Sequence, residues 1–381
     1  MGKIGILTYH YSNNYGGVLQ SIALYKVLKA KGFNVEIINY VPSYVNLISP
    51  VYESGLRKNI KKIDAKDLLP ATLFTRINVK RKYNKSIISK FDSFRAKHSK
   101  LSKLTDETNI TSILNDYSAI IVGSDQVWSP GERKKPTYFL DFKEFKGLRI
   151  SYAADSTIST INEGDVAKIT KALNNFDFVS VRNNHTQEFI NNTIKQDVPI
   201  VLDPTLLWEF DISNEVKIRK EKYILVYVLG KELENDNKHV IKKIKEVHGD
   251  LKVIAINIPT RKFNMCEYAD EVIHDLGPDE WLSMFKNAEF VFTDSFHGTL
   301  FSIKYKKSFL AYYTEELRAT RFKDLSVRFG IDDFIVNNFN EIDRKRSLEK
   351  IPDFPTIYKK INVKKEYSEN YLDTALNSNL K

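Results

Sequence analysis

Cysteine is almost absent from this chain. Cys266 stands alone, which excludes an internal disulfide and a cysteine metal cluster. Other metal signatures are missing as well. No D-x-D, H-x-H or H-E-x-x-H pattern occurs, so the sequence indicates no metal requirement. No run approaches the roughly 18 apolar residues of a membrane span. The start, Met1-Gly-Lys-Ile-Gly-Ile-Leu7, has too short an apolar core for a secretory signal, and a cytoplasmic location is expected. Neither a G-x-G-x-x-G fingerprint nor a P-loop lysine follows the first strand, which argues against a dinucleotide or nucleoside-triphosphate cradle there. Internal repeats and low-complexity tracts are lacking too.

What is present is an α/β pattern. The 381 residues, 42% hydrophobic and 28% charged, can bury a large core and suit two domains. Lys3–Thr8 reads as a first strand, followed by the polar, aromatic loop Tyr9–Gly17. Leu19, Ile22, Ala23 and Val27 then share one helix face, Gly32 supplies a stop, and Phe33–Ile38 is the next strand. Further strands are read at 117–122, 148–154, 178–182 and 198–202, each running into polar residues. A charged stretch at 208–222 suits a linker. A second series follows, with strands at 223–229, 251–256, 271–274, 290–293 and 308–312 and helices near 238–248 and 278–287. Two alternating series imply two Rossmann-like domains facing a central cleft. The expected division is 1–210, 220–350, and a polar, helical tail at 351–381 that packs back on the N-terminal domain.

The stretch Phe290-Val-Phe-Thr-Asp-Ser-Phe-His-Gly-Thr-Leu300 organises the second series. Its buried strand breaks at Thr293-Asp294-Ser295, residues suited to a helix N-cap, and a new apolar-periodic segment opens behind them. His297 therefore sits in the first turn of a helix at the carboxyl end of a strand. Open α/β sheets bind ligands there, and the helix N-terminus favours an anion. Ser295, Gly298 and Thr299 become candidate donor-binding positions. A capped helix with a satisfied histidine reads the same residues equally well.

The basic excess is local. From Arg57 to Lys103 there are 15 Lys/Arg against 3 Asp/Glu, whereas the whole chain carries a net charge of +10. The segment at 54–104 is thus a basic insertion. Ile87, Ile88, Phe91 and Phe94 have helical spacing within it. A solvated helical face, attraction to an anionic membrane surface or lipid diphosphate, and nucleic-acid binding all remain open. Nucleic acid ranks last, because no recognised module accompanies the charge, and no such partner is expected.

Five motifs in order carry a resemblance: Asn14-Tyr-Gly-Gly-Val-Leu-Gln20, Gly123-Ser-Asp-Gln-Val-Trp128, Ser180-Val-Arg182, Asp203-Pro-Thr-Leu-Leu207 and Thr293-Asp-Ser-Phe-His-Gly298. The chain resembles the polysaccharide pyruvyl transferase family over about residues 3 to 335. The resemblance implies a GT-B-like fold. It also implies transfer of the pyruvyl group of phosphoenolpyruvate onto two hydroxyls of a sugar, as a cyclic ketal, with release of phosphate. Acceptors in such a family are often lipid-linked precursors of surface polysaccharides, here an undecaprenyl-diphosphate-linked oligosaccharide, which adds peripheral contact with the inner membrane face to the expectation. By motif match His297 is the catalytic histidine and Arg182 a donor-binding arginine. Asn14, Tyr15, Gly16, Gln20, Gln126 and Trp128, which stand in the first two motifs, and Asp155, at the end of the strand 148–154, are candidate acceptor-binding residues. Some members carry arginine and leucine where this chain has Ser295-Phe296, so the missing cation is sought in Arg318 and Arg321.

The chemistry asks for such residues. Ketal formation needs a proton on the enol carbon and attack of a hydroxyl at C2, tasks for a histidine titrating near neutrality. A donor with a carboxylate and a phosphate calls for arginines and helix N-termini. Asp125 and Asp155, at strand ends, are candidates for a second base or for hydrogen bonds to sugar hydroxyls; capping the following turn is their alternative role. Phosphoenolpyruvate is here a substrate, and no cofactor is expected. A glycosyltransferase using a nucleotide sugar would share the architecture, and a non-catalytic protein binding a membrane or polyanion is the remaining class.

Overall fold

The computed structural model describes residues 2–43, 72–129, 137–157, 163–212, 216, 219–257 and 266–378. The first half contains β1 (Ile4–Leu7), α1 (Tyr15–Ala30), β2 (Val35–Ile37), α2 (Thr72–His98), β3 (Ala119–Val122), β4 (Leu148–Ser151), α3 (Glu163–Leu173) and α4 (Asn184–Ile194). Its four strands are all parallel, in the order β2-β1-β3-β4. Ile4, Ile6, Ile120, Ile121 and Val122 are buried, as expected of a parallel sheet covered on both faces. The stretches read as strands at 178–182 and 198–202 form only isolated parallel bridges, Ile150 to Phe178, Ala154 to Val181 and Val181 to Ile200. They extend the sheet edge without a continuous ladder, since Arg182 and Asp203 turn away into the interior.

The second half contains β5 (Tyr223–Tyr227), α5 (Asn237–His248), β6 (Lys252–Ile256), β7 (Glu271–Ile273), α6 (Pro278–Asn287), β8 (Phe290–Thr293), α7 (Phe296–Lys304), β9 (Ser308–Tyr312), α8 (Glu316–Phe329), β10 (Ile335–Val336) and α9 (Phe354–Asn377). Its strand order is β10-β9-β8-β5-β6-β7, again all parallel. Each sheet reverses its winding once, between β1 and β3 in the first and between β5 and β8 in the second. Ligands of open α/β sheets bind beyond the strand ends at such a reversal. The polar residues after β3 and β8 occupy those two places.

One apolar cluster runs through both halves, from Ile4, Val18 and Leu19 to Trp281, Val291 and Phe301. Helix α2 belongs to it. Ile87, Phe91 and Phe94 are buried, with the Phe91 ring 5.0 Å from that of Tyr15. Ile88 lies only partly buried. Two cations on the described part of this helix are engaged: Lys90 reaches Glu280 and the Asp275 carbonyl, and Arg95 donates to the carbonyl of His10 and to Asp92. Lys85 and Lys97 are exposed, so the helix is a strap tying α1 to α6 on its inner face and keeps a solvated outer face. Residues 54–71 and the side chains of 72–84 lie outside the described residues, and with them most of the charge assigned to a membrane or diphosphate.

Helix α9 returns to the first half. Ser368 Oγ accepts from the Leu202 N–H at 2.9 Å, Tyr371 OH donates to the Ser151 carbonyl at 2.8 Å, and Lys31 pairs with Asp373. Among the described residues no helix is long and apolar enough to cross a membrane. Truncating Phe91 to alanine leaves a cavity at the strap and should lower unfolding free energy by about 3–5 kcal/mol. Urea denaturation checks this, and an unchanged midpoint would show the strap unseated.

Candidate functional site

Two helix N-termini meet between the halves. Asn14 caps α1, its side chain accepting from the Gly17 N–H at 3.3 Å, and Ser295 caps α7, accepting from the Gly298 N–H at 3.2 Å. The Gly16-Gly17 pair, read from sequence as part of the loop, lies inside the first turn of α1. The reason is contact. A β-carbon on Gly16 would stand 2.0 Å from Nδ1 of His297, so only glycine lets the imidazole of one half rest on the helix of the other. Both N-termini carry partial positive charge.

The other edge of the imidazole meets an ion cluster. His297 Nε2 is buried and lies 3.5 Å from Asp203 Oδ2, with no closer hydrogen-bond partner among the described residues. Arg182, 1% exposed, donates to Asp203 Oδ2 at 2.9 Å and to Asp155 Oδ2 at 2.5 Å, with Asp125 Oδ1 3.8 Å away. Asp155 spends its second oxygen on Ser156 N–H, Asn183 and Thr186. Asp203 spends its own on the N–H and hydroxyl of Thr205, capping the turn Pro204–Leu207, while Ser124 approaches Oδ2 at 3.3 Å. Burial alone would raise the pKa of both carboxyls. Arg182 and Arg321 outweigh burial at Asp155; His297 and Arg182 do so at Asp203, so both stay below the usual carboxylate range. Arg182 is in turn held more firmly protonated, burial being overcome by Asp155 and Asp203.

Phe296 lies between two guanidiniums. Arg182 Cζ is 4.6 Å from the ring centroid and Arg321 Cζ 5.8 Å. The two cations differ in one respect. Arg182 is saturated with carboxylates, whereas Arg321 makes no ion pair within 4.0 Å among the described residues, and burial pulls its pKa down. Arg318 is also committed, donating to Asp294 Oδ2 at 2.6 Å. Asp294 accepts in addition from the N–H groups of Leu229 and Gly230, which ties the loop after β5 to the loop after β8.

The residues proposed from sequence divide into two sets. Gly16, Asp125, Asp155, Arg182, Ser295, His297 and Arg321 come together at the junction, with Asn14 as the cap of α1. Gly298 and Thr299 fall behind it, in the first turn of α7. Three acceptor candidates lie in the interior: Trp128, fully buried and bonded to the Tyr138 carbonyl; Gln20, fully buried and donating to Thr8 and the Gly17 carbonyl; and Tyr15, which stacks on Trp281 and donates to the Leu276 carbonyl. Aromatic and amide side chains beside a strand end serve the core as readily as a ligand. Gln126 Nε2 is buried and has no hydrogen-bond partner among the described residues. Asp203 and Phe296 were not proposed as site residues, although both stand inside the motifs; an aspartate directly before proline reads as a cap. Among the described residues no group of three His, Cys, Asp or Glu side chains is arranged to hold a metal ion.

A family model described as polysaccharide pyruvyl transferase matches residues 14–316. No curated protein matches the chain. Among solved structures, Arabidopsis thaliana UGT89C1 complexed with UDP-L-rhamnose is 10% identical, with 97% of this chain and 98% of that chain covered and a TM-score of 0.54. S. aureus MnaA in a co-structure with UDP is 13% identical, with 100% and 98% covered and a TM-score of 0.52. At these identities the likeness is one of fold alone, two facing Rossmann-like halves in a GT-B-like arrangement.

Replacing Arg182 by methionine removes the cation and leaves buried carboxylates uncompensated. The expected loss of stability is about 3–5 kcal/mol, read by denaturant unfolding at neutral pH. A loss below 1 kcal/mol would show that the carboxylates do not depend on it.

Proposed function

The chain belongs to the polysaccharide pyruvyl transferase family, and from that premise we propose how its cleft carries out pyruvyl transfer. The donor is phosphoenolpyruvate and the acceptor a sugar with two hydroxyls placed to form a cyclic ketal, presented on a lipid diphosphate. The observation that carries this reading is the placement of His297 in the first turn of α7 against the first turn of α1, next to Phe296, over which lies Arg321, an arginine with no ion pair within 4.0 Å among the described residues.

The reaction divides into proton transfers and bond exchanges. A proton added to C3 of the enol makes C2 electrophilic. A first sugar hydroxyl attacks C2 and gives up its proton, the bond from C2 to the phosphate oxygen breaks, and phosphate leaves. The second hydroxyl then closes the ketal, its proton leaving with the phosphate. No redox partner is needed. His297 suits the proton transfers, since an imidazole gives and takes protons near neutral pH. Arg321 suits the donor's carboxylate or phosphate, because it feels Asp155 and Asp125 only at a distance and makes no ion pair within 4.0 Å among the described residues, and the two helix N-termini add to that pull. Arg182 serves the donor indirectly: its charge is taken up by Asp155 and Asp203, and it fixes the cluster against which His297 rests. Asp125, with one oxygen on the Gln126 N–H, is left for an acceptor hydroxyl. The membrane contact assigned to the basic segment stays with residues 54–84.

Phosphate release from phosphoenolpyruvate, measured over a panel of hexoside and diphosphate-linked acceptors, tests this reading. Release should depend on the acceptor and fall by roughly 10²–10⁴-fold in His297→Ala. Arg321→Gln should raise KM for phosphoenolpyruvate more than it lowers kcat. Binding of a nucleotide sugar without any binding of phosphoenolpyruvate would overturn the assignment of the donor.

A further inference from the structure

The two nitrogens of His297 face different surroundings, and the difference decides which of them does chemistry. Nε2 is buried and points toward Asp203 Oδ2 at 3.5 Å, with no other hydrogen-bond partner among the described residues. Every other group touching Asp203 is a donor: the Arg182 guanidinium, the Ser124 hydroxyl, and the N–H and hydroxyl of Thr205. A carboxylate surrounded by donors stays ionised and offers Nε2 only lone pairs. A neutral ring turned with its bare Nε2 toward Asp203 would set two lone pairs against each other across 3.5 Å, a gap too short to admit a bridging water. Nδ1 lies on the opposite edge, beside Gly16 at the start of α1, on the side where the two helix N-termini converge.

We propose that Asp203 is a positioning residue that holds neutral His297 as the Nε2–H tautomer, leaving Nδ1 as the atom that exchanges protons with the substrates. The inference rests on the assignment of His297 as the acid–base residue. It also explains why a carboxylate already paired with Arg182 lies beside the histidine: the guanidinium fixes the carboxylate, and the carboxylate fixes the ring. Protonation at Nδ1 produces an imidazolium whose charge Asp203 stabilises through Nε2, and that stabilisation is greatest when the ring holds the proton it is about to deliver.

The test is nitrogen NMR of the full chain labelled with ¹⁵N-histidine, at a pH where the ring is neutral. The His297 signals are assigned by their loss in His297→Gln. The wild type should show protonated Nε2 and bare Nδ1. In Asp203→Asn the amide keeps its oxygen toward Thr205 and turns its N–H₂ toward the ring, so the tautomer should reverse and kcat should fall by roughly 10²–10⁴-fold, with a smaller change in KM for phosphoenolpyruvate. A role confined to anchoring Arg182 would leave the tautomer unmoved. A wild-type ring protonated on Nδ1, or an unchanged tautomer in Asp203→Asn, overturns the proposal, and the wild-type spectrum decides even if that variant does not fold. Full turnover by His297→Gln would instead remove the acid–base assignment beneath it.

Discussion

The rest of the structure depends on one buried cation. Taking a guanidinium and two carboxylates out of water costs several kcal/mol per ion. In the interior of the first half this is offset chiefly by Arg182, which binds Asp155 and Asp203 at once, with His297, Arg321 and hydrogen bonds to the second carboxylate oxygens adding to it. The cluster joins three separate strand ends: Asp155 follows β4, Arg182 follows the bridge at Val181, and Asp203 follows the bridge at Ile200. It also reaches the second half, through the Phe296 ring under Arg182 and the Arg182 carbonyl, which accepts from Arg328 at 2.8 Å. Asp324, which binds Arg328, accepts in turn from the Asn184 N–H. The junction between the halves is therefore held by polar contacts around Arg182 beside the apolar cluster that runs through both halves, while α2 and α9 brace it from outside by polar and apolar contacts.

Much of this was legible in the sequence, because strand-then-polar patterns repeat. The runs ending at Val122 and Thr293 announced strand ends, and Ser295 and Asn14 announced helix starts, so His297 could be placed in a first helical turn without a structure. Asp203 could not be recognised as its partner. The two residues are far apart in the chain, and nothing local shows that the turn at Pro204 meets the start of α7. Gly16 has the same history: a glycine pair suggests a turn, whereas its use is to admit an imidazole from the other half. Helix α2 was legible as amphipathic through Ile87, Phe91 and Phe94, but its charges suggested solvent. Only the contacts of Lys90 and Arg95 show cations turned inward.

The same two-lobed fold carries UDP-L-rhamnose in one of the solved structures it resembles and UDP in another, so architecture does not select the donor. Local chemistry has to. In this cleft Arg318 is tied to Asp294 and Arg182 to its carboxylates, and Arg321 is the arginine left with charge to spare. Its position over Phe296 also bears on the arginine that some family members carry two residues before the histidine. Here Ser295 fills that place as a cap, and Arg321, coming from α8, brings a guanidinium over the neighbouring Phe296 ring.

The most direct test of the account is a crystal structure with phosphoenolpyruvate bound. The account predicts the donor between the first turns of α1 and α7, with one acidic group on the Arg321 guanidinium. The enol carbons should approach His297 from the Nδ1 side, within about 3–3.5 Å. Donor density elsewhere, or a donor held by Arg182 with the Asp155 and Asp203 pairs broken, would contradict it.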